Sequence, residues 1–225
     1  MKKGEKFDYI AFYDLDHTIL EDNSATHLVH EARKRGIMSG RRFRHAVWLS
    51  LLYKLRIGDS TKMIIRMLSW LDGLRKEDID QLCVDVFSKH IMPKIRPEIL
   101  ETISEHRSNR GGIVLLSSAS EPICSQVYNH LEMDDLICSR LESVNGILTG
   151  KTQGKLVCGK EKEKRLVDYC IEHGYKQEDA YYYGDSYTDE YVMNAVGHPV
   201  AVDPDKKLLR TALKNYWTII VRKRT

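Results

Sequence analysis

The stretch Phe7-Asp-Tyr-Ile-Ala-Phe-Tyr-Asp14-Leu-Asp16-His-Thr18 constrains the fold more than any other part of the chain. Its first half is a nearly unbroken run of aromatic and aliphatic residues, which suits a strand buried on both faces. Such strands belong to parallel sheets covered by helices. Ligands of open α/β sheets bind outside the carboxyl ends of the strands, so Asp14 and Asp16 fall at the mouth of a site. Side chains two apart on an extended chain point the same way, which would let both acids face one ligand. The same acids would equally serve to turn the chain or cap a helix, and the later segments must decide between these roles.

A chain of 225 residues is long enough for one large domain, or for a core with a smaller insertion. The formal charge of +3 is too small to imply a nucleic-acid partner, and none is expected. The start of the chain, Met1 to Lys6, is charged, and the apolar run that follows is broken at Asp14, unlike a signal peptide. No apolar run approaches the roughly 20 residues that span a bilayer, so no stable membrane insertion is expected. Cys83, Cys124, Cys138, Cys158 and Cys170 are odd in number and lack Cys-x-x-Cys spacing, which fits neither a disulfide framework nor a zinc site. A reducing cytoplasm is the expected setting.

Beyond Asp16, the short polar residues Glu21-Asp22-Asn23-Ser24 suit a turn and a helix N-cap. Residues 24 to 92 then show helical spacing, with Val47, Leu51, Leu52 and Leu55 on one stripe and Ile64, Met67, Leu68 and Leu71 on another. Gly58 and Asp72-Gly73 divide this region into several helices. It carries the clearest basic cluster, Arg41-Arg-Phe-Arg-His45, which reads as a solvated helical turn or as a face for an acidic ligand or membrane surface. Trp48 and Trp70 read as packing anchors.

Pro93 and Pro97 close the helical region, and Glu98 to Arg107 forms an amphipathic helix. Alternation of strand and helix follows. The strand Ile113–Leu116 runs into Ser117-Ser-Ala-Ser120, whose backbone N–H groups at a helix start suit a phosphate. Leu136–Ser139 makes a third strand, and Leu141–Thr149 a hairpin about Asn145-Gly146. A lysine-rich stretch, Lys151 to Lys164, leads into another helix. Ala180–Tyr183 is a strand ending in Gly184-Asp185-Ser-Tyr-Thr-Asp189, whose acids lie one helical turn apart. Pro199–Val202 is a strand, Trp217–Val221 an edge strand, and Arg222 to Thr225 a solvated tail. The pattern predicts an α/β fold: a doubly wound, Rossmann-like parallel sheet formed by residues 1–21 and 95–225, with a helical cap, residues 22–94, inserted after the first strand.

Taken together, Asp14-Leu-Asp16-His-Thr18, Ser118, Lys162 and Gly184-Asp185-x-x-x-Asp189 resemble the four ordered motifs of haloacid dehalogenase superfamily phosphatases. The hairpin ending in Leu148-Thr149-Gly150 is similar to that of the phosphoserine phosphatase branch, where a comparable interval from Thr-Gly to the motif lysine selects Lys162 over Lys160 and Lys164. The resemblance implies a Mg²⁺-dependent phosphatase of a small phosphorylated metabolite, acting through an aspartyl phosphate. It implies Asp14 as nucleophile, Asp16 as acid and base, and Lys162 and Asp189 as catalytic support. Mg²⁺ would be held by Asp14, the Asp16 carbonyl and Asp185, and substrate by Ser118, Ala119 and the cap residue Arg66. A phosphotransferase or mutase with the same intermediate, or a non-catalytic binding module with a basic cap, are the alternatives.

The sequence also departs from that branch. Asn23 stands where those phosphatases carry a glutamate that contacts the substrate amino acid, Thr188 where an asparagine is expected, and Ala119-Ser120 where a glycine pair follows the serine. These departures leave the substrate open, and nothing in the sequence assigns an oligomeric state.

Overall fold

The computed structural model describes residues 6–54 and 60–222, so Leu55, Gly58 and the end of the basic tail lie outside the described residues. In chain order the elements begin with β1 (Tyr9–Tyr13), followed by the helices α1 (Ser24–Lys34), α2 (Gly40–Lys54), α3 (Ser60–Leu68) and α4 (Lys76–Val86). Next come α5 (Pro97–Ser108), β2 (Gly111–Ser120), α6 (Glu121–His130), β3 (Asp135–Ser139), and the hairpin β4 (Leu141–Val144) and β5 (Ile147–Thr152). The chain continues with α7 (Lys160–His173), β6 (Tyr181–Gly184), α8 (Glu190–Met193), β7 (His198–Val202), α9 (Lys206–Lys214) and β8 (Thr218–Ile220).

Six of the strands form one sheet in the order β3-β2-β1-β6-β7-β8, every pair parallel. Strand alternation sorts its side chains to two faces. Ala11, Tyr13, Ile113 and Leu115 pack with α5 and α6 on one face, whereas Ile10, Phe12, Val114, Leu116 and Tyr182 pack with α7, α8 and α9 on the other. This is the doubly wound α/β architecture expected from the alternation of elements. Sequence order runs outward from β1 in one direction and from β6 in the other, so the switch point lies between them. There the crossovers leave in opposite directions and a crevice opens at the strands' carboxyl ends. Tyr13 of β1 is in register with Leu115 on one side and Tyr183 on the other, which brings the ends of β1, β2 and β6 together.

Helices α1 to α4 intervene between β1 and β2. Their last connection is fixed to the hairpin: Gly73 N–H donates to Leu148 O at 3.0 Å, Leu148 N–H to Leu74 O at 2.8 Å, and Lys76 N–H to Gly146 O at 2.8 Å. Gly150 lies against this joint at φ +69°, where an added Cβ would come within 3.1 Å of Asp72 Cβ, so both conformation and space require glycine.

Two expectations for this region are corrected. Trp70 is buried as an anchor, but Trp48 is 53% exposed, and Val47 and Leu51 beside it are exposed too. Helix α2 is apolar almost all round in its second half, so no single stripe defines its inner face. The buried residue there is Leu49, outside the stripe read from spacing. Arg41, Arg42, Arg44 and His45 are exposed at the start of α2, in keeping with a solvated helical turn. Among the described residues no helix is long and apolar enough to cross a membrane.

Candidate active site

Asp14 is the first residue past β1, and its backbone N–H donates to Tyr183 O of β6 at 3.0 Å, pinning it at the switch point. The chain does not continue extended through Asp16, as the strand pattern predicted. It winds into a wide turn over Leu15–Ile19, closed by Leu20 N–H on Leu15 O at 3.0 Å, with His17 in the left-handed region at φ 59°. The buried Arg96 fastens this turn. Its guanidinium donates to His17 O at 3.3 Å and Leu20 O at 3.4 Å and pairs with Asp203 at 2.8 Å.

The turn aims Asp16 at the start of α1. Its Oδ1 accepts from Ser24 N–H at 2.7 Å, and its Oδ2 from the Asn23 side-chain amide at 3.0 Å. Burial nevertheless pushes the Asp16 carboxyl up to about 6, since it outweighs the Ser24 hydrogen bond, and the nearby Asp14 charge adds to the rise. A carboxyl with that value is readily protonated near neutral pH, which general acid chemistry requires.

From α7, Lys162 reaches back under the end of the sheet. It is 2% exposed, and its Nζ lies 2.9 Å from Asp189 Oδ1 and 3.0 Å from Asp14 Oδ1, with the Tyr182 ring 5.4 Å away. Burial alone would lower the ammonium, but the Asp14 and Asp189 charges outweigh it and hold Lys162 above the usual lysine range. Asp189 feels the opposite balance: burial, reinforced by the Asp14 charge, lifts it to about 6 in spite of Lys162. Asp185, just past β6, is pushed well up by burial and by the Asp14 and Asp189 charges.

Carboxylates of Asp14, Asp185 and Asp189 offer ligand atoms all within 4.8 Å of one another. Asp16 adds a fourth carboxyl within electrostatic reach of Asp185, Lys162 is the cation between Asp14 and Asp189, and Asp189 Oδ2 is buried with no hydrogen-bond partner. That set is short of positive charge and rich in hard oxygen donors, and a divalent cation such as Mg²⁺ fits it.

The other expected site residues are placed less tightly. Ser118 and Ala119 are half-buried within the end of β2, which is longer than expected, running to Ser120 before α6 begins. Tyr13 is in register with Leu115, so the end of β2 runs on beside the segment that carries Asp14. Arg66 is not among the groups that contact the acids. It lies exposed near the end of α3, on a cavity that it shares with the α2 arginines. Sequence reading identified neither Arg96 nor the Asn23 contact to Asp16. Arg96 precedes Pro97 with no local signal, whereas Asn23 caps α1 as its segment suggested, with nothing local to signal its second contact to Asp16.

The haloacid dehalogenase-like hydrolase family profile matches residues 11–193. A phosphoserine phosphatase of Mycobacterium tuberculosis is 24% identical over 218 residues, covering 93% of this chain and 69% of that protein. A protein of unknown function from Bordetella pertussis Tohama I superposes with a TM-score of 0.86 at 20% identity, covering 96% of this chain and 99% of that one. A phospho-aspartyl intermediate analogue of phosphoserine phosphatase superposes with a TM-score of 0.72 at 19% identity, over 97% and 95% of the two chains. The fold is therefore shared with phosphoserine phosphatases, and the match over residues 11–193 makes the chain a member of the haloacid dehalogenase-like hydrolase family.

Proposed function

We propose that the chain is a Mg²⁺-dependent phosphatase that hydrolyses a small phosphate monoester through an aspartyl phosphate on Asp14. The observation that carries this reading is the convergence of Asp14, Asp185, Asp189 and Lys162 at the sheet's switch point. Residues 22–94 act as a cap over a core formed by residues 1–21 and 95–225.

Phosphate monoesters resist attack because the phosphoryl group and its attacker are both anionic, and enzymes overcome barriers that correspond to accelerations of up to about 10²¹-fold. Asp14, the Asp16 backbone carbonyl and Asp185 would hold Mg²⁺, with Asp189 in support. When bound, the metal supplies positive charge to the phosphoryl oxygens and to the attacking carboxylate. Lys162 holds the Asp14 carboxylate in place and adds its own charge next to the transferring group. Ser118, with the backbone N–H groups at the end of β2, binds the remaining phosphate oxygens, and Ala119 leaves room for them.

The Asp14 carboxylate oxygen attacks phosphorus, the bond from phosphorus to the ester oxygen breaks, and Asp16 gives its proton to the departing alkoxide. The carboxylate left on Asp16 then takes a proton from water. The resulting hydroxide attacks the same phosphorus, and the bond to Asp14 breaks to release phosphate. Hydrogen bonds from Ser24 and Asn23 hold Asp16 in one orientation for both steps.

A panel of phosphorylated metabolites, read as kcat/KM with and without Mg²⁺, tests this function. Metal-dependent, stoichiometric release of free phosphate is expected. Phosphate recovered on an acceptor instead of in solution would make the protein a transferase, and no turnover of any ester would overturn the assignment.

A further inference from the structure

Helix α2 opens with a concentration of positive charge that the catalytic scheme does not use. Arg41, Arg42 and Arg44 fall within its first five residues, and its first turn carries no acid. A helix N-terminus already bears partial positive charge, so cations there are unfavourable unless an anion is present. With Arg66 and Trp70 from across the helical insertion, these arginines line a cavity of about 680 Å³ that has no carboxylate among its described lining residues.

Arg33 of α1 adds a further guanidinium beside Arg44, outside the lining of the cavity. Arg33 Nη2 and Arg44 Nη1 lie 3.6 and 3.8 Å from the point where Gly40 would carry a Cβ. Arg42 is tied into the wall by donating to Trp70 O at 3.3 Å and Asp72 O at 3.5 Å, contacts that leave its charge uncompensated. Among the described residues, no carboxylate lies within ion-pair distance of Arg33, Arg41, Arg44 or Arg66. Elsewhere on the same helices the opposite holds: Arg35 pairs with both Glu31 and Asp85.

We propose that this cavity is a second anion site, which binds a phosphate-type dianion through Arg41, Arg42 and Arg44, with Arg66 opposite. Guanidinium forks match phosphate oxygens bidentately, and a volume of this order accommodates a small metabolite group. The dianion is either a second phosphate on the substrate's leaving group or a separate phosphorylated ligand. The first source rests on the phosphatase reading above, whereas the site itself does not.

Calorimetric titration of pyrophosphate into the whole protein, in metal-free buffer with a chelator, reads the site without turnover. Ser118→Ala, at the end of β2, reports any binding at the catalytic site instead. Binding is expected to weaken at least tenfold in Arg41→Ala and Arg44→Ala and severalfold in Arg44→Lys, which keeps the charge but loses the fork. It is expected to be unchanged in Ser118→Ala and in Arg210→Ala, which removes the same charge from α9 of the core. Absence of binding by wild type, indifference to the α2 arginines, or equal weakening by Arg210→Ala would overturn the site.

Comparison of kcat/KM for an aryl phosphate and a bisphosphate ester then assigns the source. A loss in Arg44→Ala confined to the bisphosphate supports the substrate's own second phosphate, and equal values with pyrophosphate binding abolished support a separate ligand. A protein that turns over neither ester but still binds pyrophosphate would fail as a phosphatase while keeping this site.

Discussion

The Asn23 side-chain amide donates to Asp16 Oδ2 at 3.0 Å, joining the first residue before α1 to the acid that follows β1. The same side chain accepts from Thr26 N–H at 3.1 Å, so one residue both caps the helix and orients the carboxyl. Asn23→Ser separates the two roles, because serine keeps a capping oxygen but lacks the amide N–H that donates to Asp16. A hydrogen bond to a charged group is worth about 1.5–3 kcal/mol, so kcat is expected to fall roughly 10- to 100-fold while Tm holds. Parallel measurement of Tm and steady-state kinetics checks this, and a kcat equal to wild type would remove Asn23 from the account.

Lys162 sits between two carboxylates in a buried setting, and truncating it leaves both without their cation. Breaking a buried pair from one side costs about 3–5 kcal/mol. Lys162→Met is therefore expected to unfold at markedly lower denaturant in chelator, and to regain part of the loss when Mg²⁺ replaces the missing charge. Equilibrium unfolding with and without metal reads both effects.

Metal removal should act in the opposite sense at Asp185. Burial and the Asp14 and Asp189 charges disfavour its carboxylate, so neutral asparagine relieves repulsion in the metal-free protein. Asp185→Asn is expected to melt above wild type in chelator, and to lose the rise in Tm that Mg²⁺ gives wild type by binding the folded state. Thermal melts across a Mg²⁺ series test this, and an undiminished metal response in the variant would exclude Asp185 as a ligand.

Burial also governs the acid stability of the core. His106 of α5 is buried between Tyr9, at 2.9 Å from Nδ1, and Tyr183, at 2.8 Å from Nε2. Desolvation, with a smaller contribution from His198, depresses its imidazole from 6.5 to about 4. Between those values the unfolded chain binds the proton and the folded one does not, so stability falls as pH drops from 6.5 to 4. The shift corresponds to at most about 3 kcal/mol. His106→Gln is expected to show a flatter stability profile over that interval by chemical denaturation at stepped pH, and an equal slope would assign the acid sensitivity elsewhere.

The sheet was legible because each buried strand is a compact apolar run that ends in polar residues of a distinct kind, and these ends meet at one edge of the fold. Asp14, Asp185 and Asp189 could thus be singled out before any distance was known, whereas Lys162, inside a lysine-rich helix start, was selected only through the family resemblance. The orientation of Asp16 was not legible, since its turn is held by Arg96 from a remote segment. Nor was the inner face of α2, where apolar residues on several sides made spacing ambiguous and left Trp48 outward. Local pattern finds strand ends well. It does not find side chains whose placement depends on contacts distant in sequence.

The central claim is that Asp14 carries the phosphoryl group. Acid quenching of wild-type protein during turnover of a good substrate, followed by peptide mass spectrometry, tests it most directly. A phosphoryl adduct is expected on the peptide containing Asp14 in wild type, and neither adduct nor turnover in a folded Asp14→Asn variant. Undiminished turnover by that variant, or an adduct on a different residue, would contradict it.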